Sequence, residues 1–327
     1  MARKIDWERQ IGRRFKLRDL HVFATVVQRG SMAKAAEQLG VSQPAISEVI
    51  ADLERALGVR LLDRNPQGVE PNIFGRALFK RCRAVFDELK QGINEIEFLA
   101  DPEVGEIRIG CSESLSAAIL QPIIQRFSKL YPRIVVHVYH EASPMLELPQ
   151  LRERSLDLCL ARIRTAKAEE HPDVNLELLF EDGVVVAAGA RSRWATRREI
   201  DIADLVDAPW ILTTPESLTY LVVAEAFRAR GLDAPRPCLM TFSVPLRTNL
   251  VATGDFITVL PASVLRFNAD QFGLKALPIE LPGRPWPVVV ATLKNRTLSP
   301  AAERFIDHVR AFTRSMTLVS SDEKITA

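Results

Sequence analysis

The segment MAKAAEQLGVSQPAISEVIADLERALG, residues 32–58, admits few folds. Ile46, Val49, Ile50, Leu53 and Leu57 recur at three- and four-residue spacing, the period of a helix with one apolar face. The short alanine-rich run before it is also helical and is stopped by Gly40; Val41 fills the turn, and Ser42 is placed to cap the third helix. Pro44 falls in the first helical turn, where its missing N–H would have had no intrahelical partner, so it marks the start of the helix and does not break it. Upstream, LRDLHVFATVVQ (17–28) is a further helix ended by Gly30, and Ser31 caps the next. Two short helices joined by a tight glycine turn form a helix-turn-helix, with Ala36 small at their crossing and Leu39, Val41, Ile46 and Val49 burying the pair.

An ordinary helical hairpin with a solvated face would share much of this pattern. The polar first turn of the third helix favours the other reading. In a helix-turn-helix those residues face base edges in the major groove, and the helix N-terminus attracts phosphate. Gln43 suits adenine, Glu48 can accept from cytosine N4, and Ala45 can touch a thymine methyl. VRLLDRNPQGVEP (59–71) then reads as a small β-hairpin about an Asn-Pro-Gln-Gly turn, the wing of a winged helix-turn-helix. The candidate contacts to double-stranded DNA are Ser31, Ser42, Gln43, Pro44, Ala45, Ser47, Glu48, Arg60 and Arg64. Charge placement agrees: residues 1–83 hold 16 Lys+Arg against 9 Asp+Glu, net +7, and the rest hold 27 against 32, net −5.

From Arg76 to Leu99 the chain is one long helical pattern. Phe79, Cys82, Phe86, Leu89, Ile93 and Ile96 alternate steps of three and four, a short heptad seam suited to pairing with a second copy, or else to packing on the helix's own domain. Asp101-Pro102 ends it. Beyond, strands and helices alternate. The expected strands are 106–110, 134–139, 156–163, 183–188, 210–212, 256–261 and 286–293, with helices such as LSAAILQPIIQRFSKLYP and LTYLVVAEAFRARG between them. Several strands are near-continuous apolar runs, as in an α/β body whose sheet is covered on both faces. Ligands in such bodies sit outside strand C-termini, near helix N-termini. Two such ends stand out: Ser112, Glu113 and Ser114 after EIRIG, and Thr213, Thr214 and Ser217 after WIL. Plain helix capping would use the same residue types.

The four cysteines, 82, 111, 159 and 238, have no metal-site spacing and suit reduced thiols in a cytoplasmic protein. The N-terminus lacks an apolar signal core, and no apolar stretch is long enough to span a membrane, so no membrane partner is expected. An enzyme would need a motif that is missing: no P-loop, G-x-S-x-G or H-E-x-x-H occurs, and the five histidines (21, 137, 140, 171, 308) are scattered. A solute-binding transport protein would fit the body but not the DNA-binding module. No cofactor or metal is expected.

Taken together, SQPAISEVIADLERALG, LLDRNPQGVEPNIFGRAL, the long helix and GEIRIG resemble the LysR-type transcriptional regulators over roughly residues 17–313. The resemblance implies a winged helix-turn-helix (17–75), a linker and dimerisation helix (76–100) and an effector domain (104–314) with a periplasmic-binding-protein-like fold. It places one subdomain at 104–162 plus 268–314 and the other at 165–265, crossing over at Arg162–Thr165 and Leu265–Asn268. It further implies a homodimer or homotetramer, RNA polymerase as a partner, and a small organic effector in the cleft. Ser112, Glu113 and Ser114 match the first ligand loop; Thr213 or Thr214, Ser243 and Phe256 fall where the second subdomain faces the cleft. The chain departs from the pattern at Glu48, where many members carry Arg or Lys, and at Asn72, where Thr is usual but Asn can still cap the linker helix. Glu113 argues against a simple anionic effector and leaves a hydroxyl-rich ligand such as a sugar derivative open. The first sixteen residues lie ahead of the usual family start, and two readings stay open for them: a disordered extension, or added phosphate contacts through Arg13, Arg14 and Lys16.

Overall fold

The structure, a computed structural model, describes residues 16–66, 68–140, 148–163 and 171–323. Arg13 and Arg14 lie outside these residues. The chain divides into two compact units, Met1–Ile93 and Asn94–Ala327.

In the first unit, α1 (Leu17–Arg29), α2 (Met32–Leu39) and α3 (Gln43–Leu57) precede a hairpin of β1 (Leu62–Asn65) and β2 (Gly68–Pro71), and α4 (Ile73–Ala100) comes next. The caps fall where the sequence puts them. The Ser31 and Ser42 hydroxyls accept from Lys34 N and Ala45 N, and Gly30, Gly40 and Gly58 end α1, α2 and α3 in the left-handed region. Phe23, Val26, Ala35, Ile46, Ile50 and Leu53 close a core between the three helices. Each large apolar side chain so buried contributes about 1.5–3 kcal/mol.

The hairpin is tied down by backbone and by one acid. Leu61 N and Leu62 N donate to Glu54 Oε1 on α3 at 2.7 and 3.3 Å, and Val69 N donates to the Gly30 carbonyl at 2.8 Å. At the start of α4, Asn72 does the capping expected of it: Phe74 N and Gly75 N donate to its Oδ1 at 2.9 and 3.0 Å. The linker helix therefore begins at Ile73, three residues earlier than expected.

The heptad seam splits in two. Cys82 is buried and Phe79 and Phe86 are half-buried, all packed into the first unit's own core. These three pack on the N-terminal unit's own core, the alternative the sequence pattern also allows for this face. Burial pushes the Cys82 thiol up to about 11. Further along, Leu89 is 47%, Ile93 57% and Ile96 68% exposed.

The second unit contains two five-stranded sheets. Its elements are β3 (Gly105–Cys111); a helical turn Glu113–Leu115 and a π turn Ser116–Leu120 leading into α5 (Gln121–Leu130); β4 (Ile134–His140); β5 (Leu158–Arg162); β6 (Val174–Asp182); β7 (Val184–Gly189); β8 (Trp210–Leu212); α6 (Leu218–Arg228); β9 (Pro237–Met240); α7 (Val244–Ala252); β10 (Ile257–Pro261); α8 (Ala262–Phe272); β11 (Leu274–Ala276); β12 (Trp286–Leu293); and α9 (Pro300–Glu323). The strand orders are β4-β3-β5-β12-β6 and β11-β7-β10-β8-β9. In the first, β3 runs parallel to β4 and β5, and β12 is antiparallel to β5 and β6. In the second, β8 is parallel to β9 and β10, and β7 is antiparallel to β10 and β11. Both faces are covered, as the apolar runs require: Ile257 and Val259 of β10 face one cluster and Leu260 the other.

The subdomain boundaries move from those expected. β6 joins the first sheet and β11 the second, so the chain crosses at Gly183 and again between Ala276 and Trp286, not at 162–165 and 265–268. Residues 164–170 lie outside the described residues. Among the described residues no helix is long and apolar enough to cross a membrane.

Candidate DNA interface and effector cleft

Pro44 and the Ser42 cap fix where α3 begins, and the residues of that turn are its open ones. Ser42, Gln43, Pro44 and Glu48 are exposed and Ala45 is half-buried. Ser47 points back, its hydroxyl donating to Met32 Sδ at 3.3 Å, which puts it at the α2–α3 crossing. Arg60 and Arg64 are exposed beside and on β1. Ser31 lines a shallow depression of about 540 Å³ between the wing and the α1–α2 turn, together with Arg29, Lys34 and Asn65. Sequence reasoning does not single out Arg29 and Lys34. Their signal is position: they flank the Gly30–Ser31 turn, where N–H groups and two cations meet.

The second site is a cavity of about 270 Å³ between the two sheets. Strand C-termini supply it: Cys111–Ser114 after β3, Arg162 at the end of β5, Thr213 after β8 and Pro261 at the end of β10. Five of the expected residues meet there, Ser112, Glu113, Ser114, Thr213 and Ser217. The Ser112 and Ser114 hydroxyls are 3.2 Å apart, and Ser112 also caps Leu115 N. Thr213 Oγ1 bonds Ser217 Oγ and, at 2.9 Å, Thr219 Oγ1. Directly after the first loop the chain widens into the π turn, whose Ala117 carbonyl accepts from Asn268 Nδ2 at 2.8 Å. Such turns recur at functional sites.

The other three expected residues do not line the cavity. Thr214 lies just past the edge, where its carbonyl accepts from Ser217 N. Ser243 is spent on capping α7, accepting from Leu246 N, and Phe256 packs into the core.

Two arginines escape sequence reasoning as site residues. Arg162 Nη1 donates to Ser114 Oγ at 3.3 Å, and its Nη2 meets Asp182 Oδ2 at 2.5 Å. Asp182 in turn accepts from Ser263 N and Oγ at 3.0 and 2.6 Å, tying the end of β6 to the start of α8 at the crossover. Arg247, from α7, is buried and lines the same cavity. Burial pulls its guanidinium down to about 10, against an opposing field from the Glu113 carboxylate, so it stays charged at neutral pH. Glu113 shares the cavity wall with two guanidinium groups, of which Arg162 is already paired with Asp182, so the carboxylate faces one cation without an ion pair of its own, Arg247.

A winged helix-turn-helix joined to a two-sheet body, with a cleft of mixed apolar and polar lining between the sheets, has the parts of a DNA-binding regulator that answers to a small ligand. Comparison with known proteins gives the family. The LysR substrate binding domain matches residues 100–314, and the bacterial regulatory helix-turn-helix of the lysR family matches residues 17–76. The chain belongs to the LysR family: it is a DNA-binding transcriptional regulator with an effector-binding domain. It is 28% identical to the HTH-type transcriptional regulator GbpR of Azospirillum brasilense over 91% of this chain and 86% of that one. It is 29% identical to TdcA of Escherichia coli K12 over 91% and 93%. Among solved structures, CbnR, a LysR family transcriptional regulator, aligns with TM-score 0.59 at 22% identity over 91% of this chain and 99% of that one. CbnR complexed with its target DNA aligns with TM-score 0.60, also at 22% identity and the same coverage.

Proposed function

We propose that the first turn of α3 reads base edges of promoter DNA in the major groove, with Gln43 and Glu48 as the reading side chains. The observation that carries this is the turn itself: a capped helix N-terminus whose exposed residues are polar while the face behind it is core. Ser42 and Ser31 are placed for phosphate, with Arg64 on the wing reaching the backbone. Ser47 supports the crossing of α2 and α3 more than it reads a base.

The cleft takes a small organic effector held by Ser112, Glu113, Ser114 and Thr213, and serves sensing without catalysis. Leu89, Ile93 and Ile96 supply an apolar ridge for a second copy, in a dimer or tetramer that presents two recognition helices to a two-fold related site. The protein works in the cytoplasm with RNA polymerase as its downstream partner. Effector binding favours one angle between the two sheets by its differential affinity, and that angle sets the DNA-bound arrangement.

The experiment is capture and sequencing of genomic fragments by the purified protein at near-physiological salt, since affinities of this kind fall steeply with salt. A few sharp sites sharing an inverted repeat are expected. Sequence-blind recovery, with and without added metabolite extract, contradicts base reading by α3.

A further inference from the structure

Among the described residues of the second unit, Arg247 differs from two other well-covered arginines. Arg162 has Asp182, and Arg296 has Asp157 and the Leu156 carbonyl. Arg247 is only 3% exposed, yet it has no ion pair among the described residues. Its Nη1 donates to the Val259 carbonyl at 3.3 Å, and its Nε meets no acceptor. Glu113 reaches it as a field and not as a hydrogen-bond partner. A guanidinium has five N–H groups in a rigid fork, and leaving it buried without a counter-ion is costly. That cost is borne at a cavity wall, where a ligand can supply the missing anion.

The geometry points to a small monocarboxylate with a hydroxyl or amino group near its acid as the effector, its carboxylate held by the fork of Arg247. This rests on the reading of the cleft as the effector site. The planar fork matches a carboxylate edge to edge. Among the described lining residues a second carboxylate finds no unpaired guanidinium or ammonium group, because Asp182 neutralises Arg162, and Glu113 faces the same space. Glu113 is an acceptor, so it asks for a donor, which a hydroxyl or ammonium provides. The hydroxyls of Ser114 and Thr219 bond either. A cavity of about 270 Å³ lies at the small end for ligand pockets, which suits a small metabolite.

The test uses the full chain in thermal melts at fixed ionic strength, with three acids and their counterparts lacking the carboxylate: glycerate and glycerol, serine and serinol, gluconate and glucose. At least one acid is expected to raise the melting temperature by about 3 °C or more while its counterpart does not. Serine against glycerate separates the amino from the hydroxy class. Arg247→Met is expected to melt no lower than the wild type without ligand, since it removes an uncompensated charge, and to respond to no acid. Arg247→Gln, which keeps a donor for the Val259 carbonyl, carries the comparison if the methionine variant does not fold. A counterpart that stabilises as well as its acid, a variant that responds like the wild type, or silence from all three acids overturns the assignment. An acid that binds through Arg247 but leaves affinity for captured genomic fragments unchanged upholds the anion site and overturns the effector reading instead.

Discussion

Replacing Gly75 by alanine sets two effects against each other, and the structure decides between them. Gly75 is the third residue of α4, where alanine is the better helix former by up to about 1 kcal/mol. A Cβ at this position would stand 2.1 Å from the Leu61 carbonyl oxygen and 3.1 Å from Pro71 Cβ. Carbon and carbonyl oxygen normally come no closer than roughly 3.3 Å, so something must move by more than about 1 Å. The carbonyl is not free to move: it accepts from Asn72 N at 3.0 Å, and the Leu61 N–H is held by Glu54 Oε1 at 2.7 Å. Asn72 is anchored as well, through Nδ2 to the Arg60 carbonyl and Oδ1 to Phe74 N and Gly75 N. Strain of roughly 1–3 kcal/mol, plus about 1 kcal/mol for each hydrogen bond disturbed, outweighs the helix gain. The expected net loss is about 2–4 kcal/mol, a large share of the roughly 5–15 kcal/mol typical of a domain. In calorimetry of the full chain the N-terminal transition should fall by about 10 °C or more. Below that temperature DNA affinity should also drop, because the wing carrying Arg64 is pinned to α3 through Leu61. A melt equal to or above the wild type refutes the reasoning: it would mean that the Leu61 carbonyl yields freely and the junction is soft.

Four shorter predictions address the other parts. Gln43→Ala should weaken binding to a captured site by about 1–3 kcal/mol while sparing random DNA, as read by competition binding; equal loss on both removes Gln43 from base reading. Ile93→Asp should shift sedimentation toward monomer with the fold intact, because it puts a charge on the exposed part of the α4 ridge; an unchanged oligomer moves the dimer contact elsewhere. Asp182→Asn should cost about 3 kcal/mol or more in denaturant melts, because it strips the buried Arg162 of its carboxylate and weakens the bond to Ser263 N at the crossover; a neutral outcome means the network is not what holds the two sheets there. His308 has its pKa held below 6.5, first by burial and then by Arg126, so the unfolded chain binds the extra proton more readily. Its contribution is present above pH 6.5 and lost as pH falls, and the wild type should lose more melting temperature between pH 7.5 and 5.5 than His308→Gln; parallel curves exclude His308 as a cause.

The N-terminal unit is legible almost to the residue because its signals are local. Gly30, Gly40 and Gly58 end helices by adopting positive φ, and Ser31, Ser42 and Asn72 cap the next ones, so boundaries are written in single residue types. The central strands of the second unit are legible, and so is the apolar edge strand β4. β5, β10 and β12 are continuous apolar runs because sheet neighbours flank them on both edges. The three strands that escape the sequence pattern, β6, β9 and β11, all lie at sheet edges. β6 carries Glu177, Glu181 and Asp182, β9 begins with a proline, and β11 has three residues around Lys275. Edge strands take charge, proline and brevity to avoid pairing with other chains, and those features erase the period-two signal. The subdomain boundaries are misplaced from sequence for the same reason: the chain enters and leaves the second sheet beside strands that do not look like strands.

The seam on α4 misleads by a different route. Its period is real from Phe79 to Ile96, but a heptad repeat states only that one face is apolar, not what lies against it. Own-core packing claims Phe79, Cys82 and Phe86, and the stripe carries on past that core as exposed Leu89, Ile93 and Ile96. The cleft divides in the same way. Loop residues just past a strand, Ser112 to Ser114 and Thr213, are found from their place after apolar runs. Arg247 cannot be, since within Val244–Ala252 it occupies a position of α7 indistinguishable in sequence from a solvated one. Only its burial without an ion pair, against the partners given to Arg162 and Arg296, separates it from a cation in water. A sequence can show where hydroxyls gather at strand ends; whether a buried charge is compensated is a property of three dimensions.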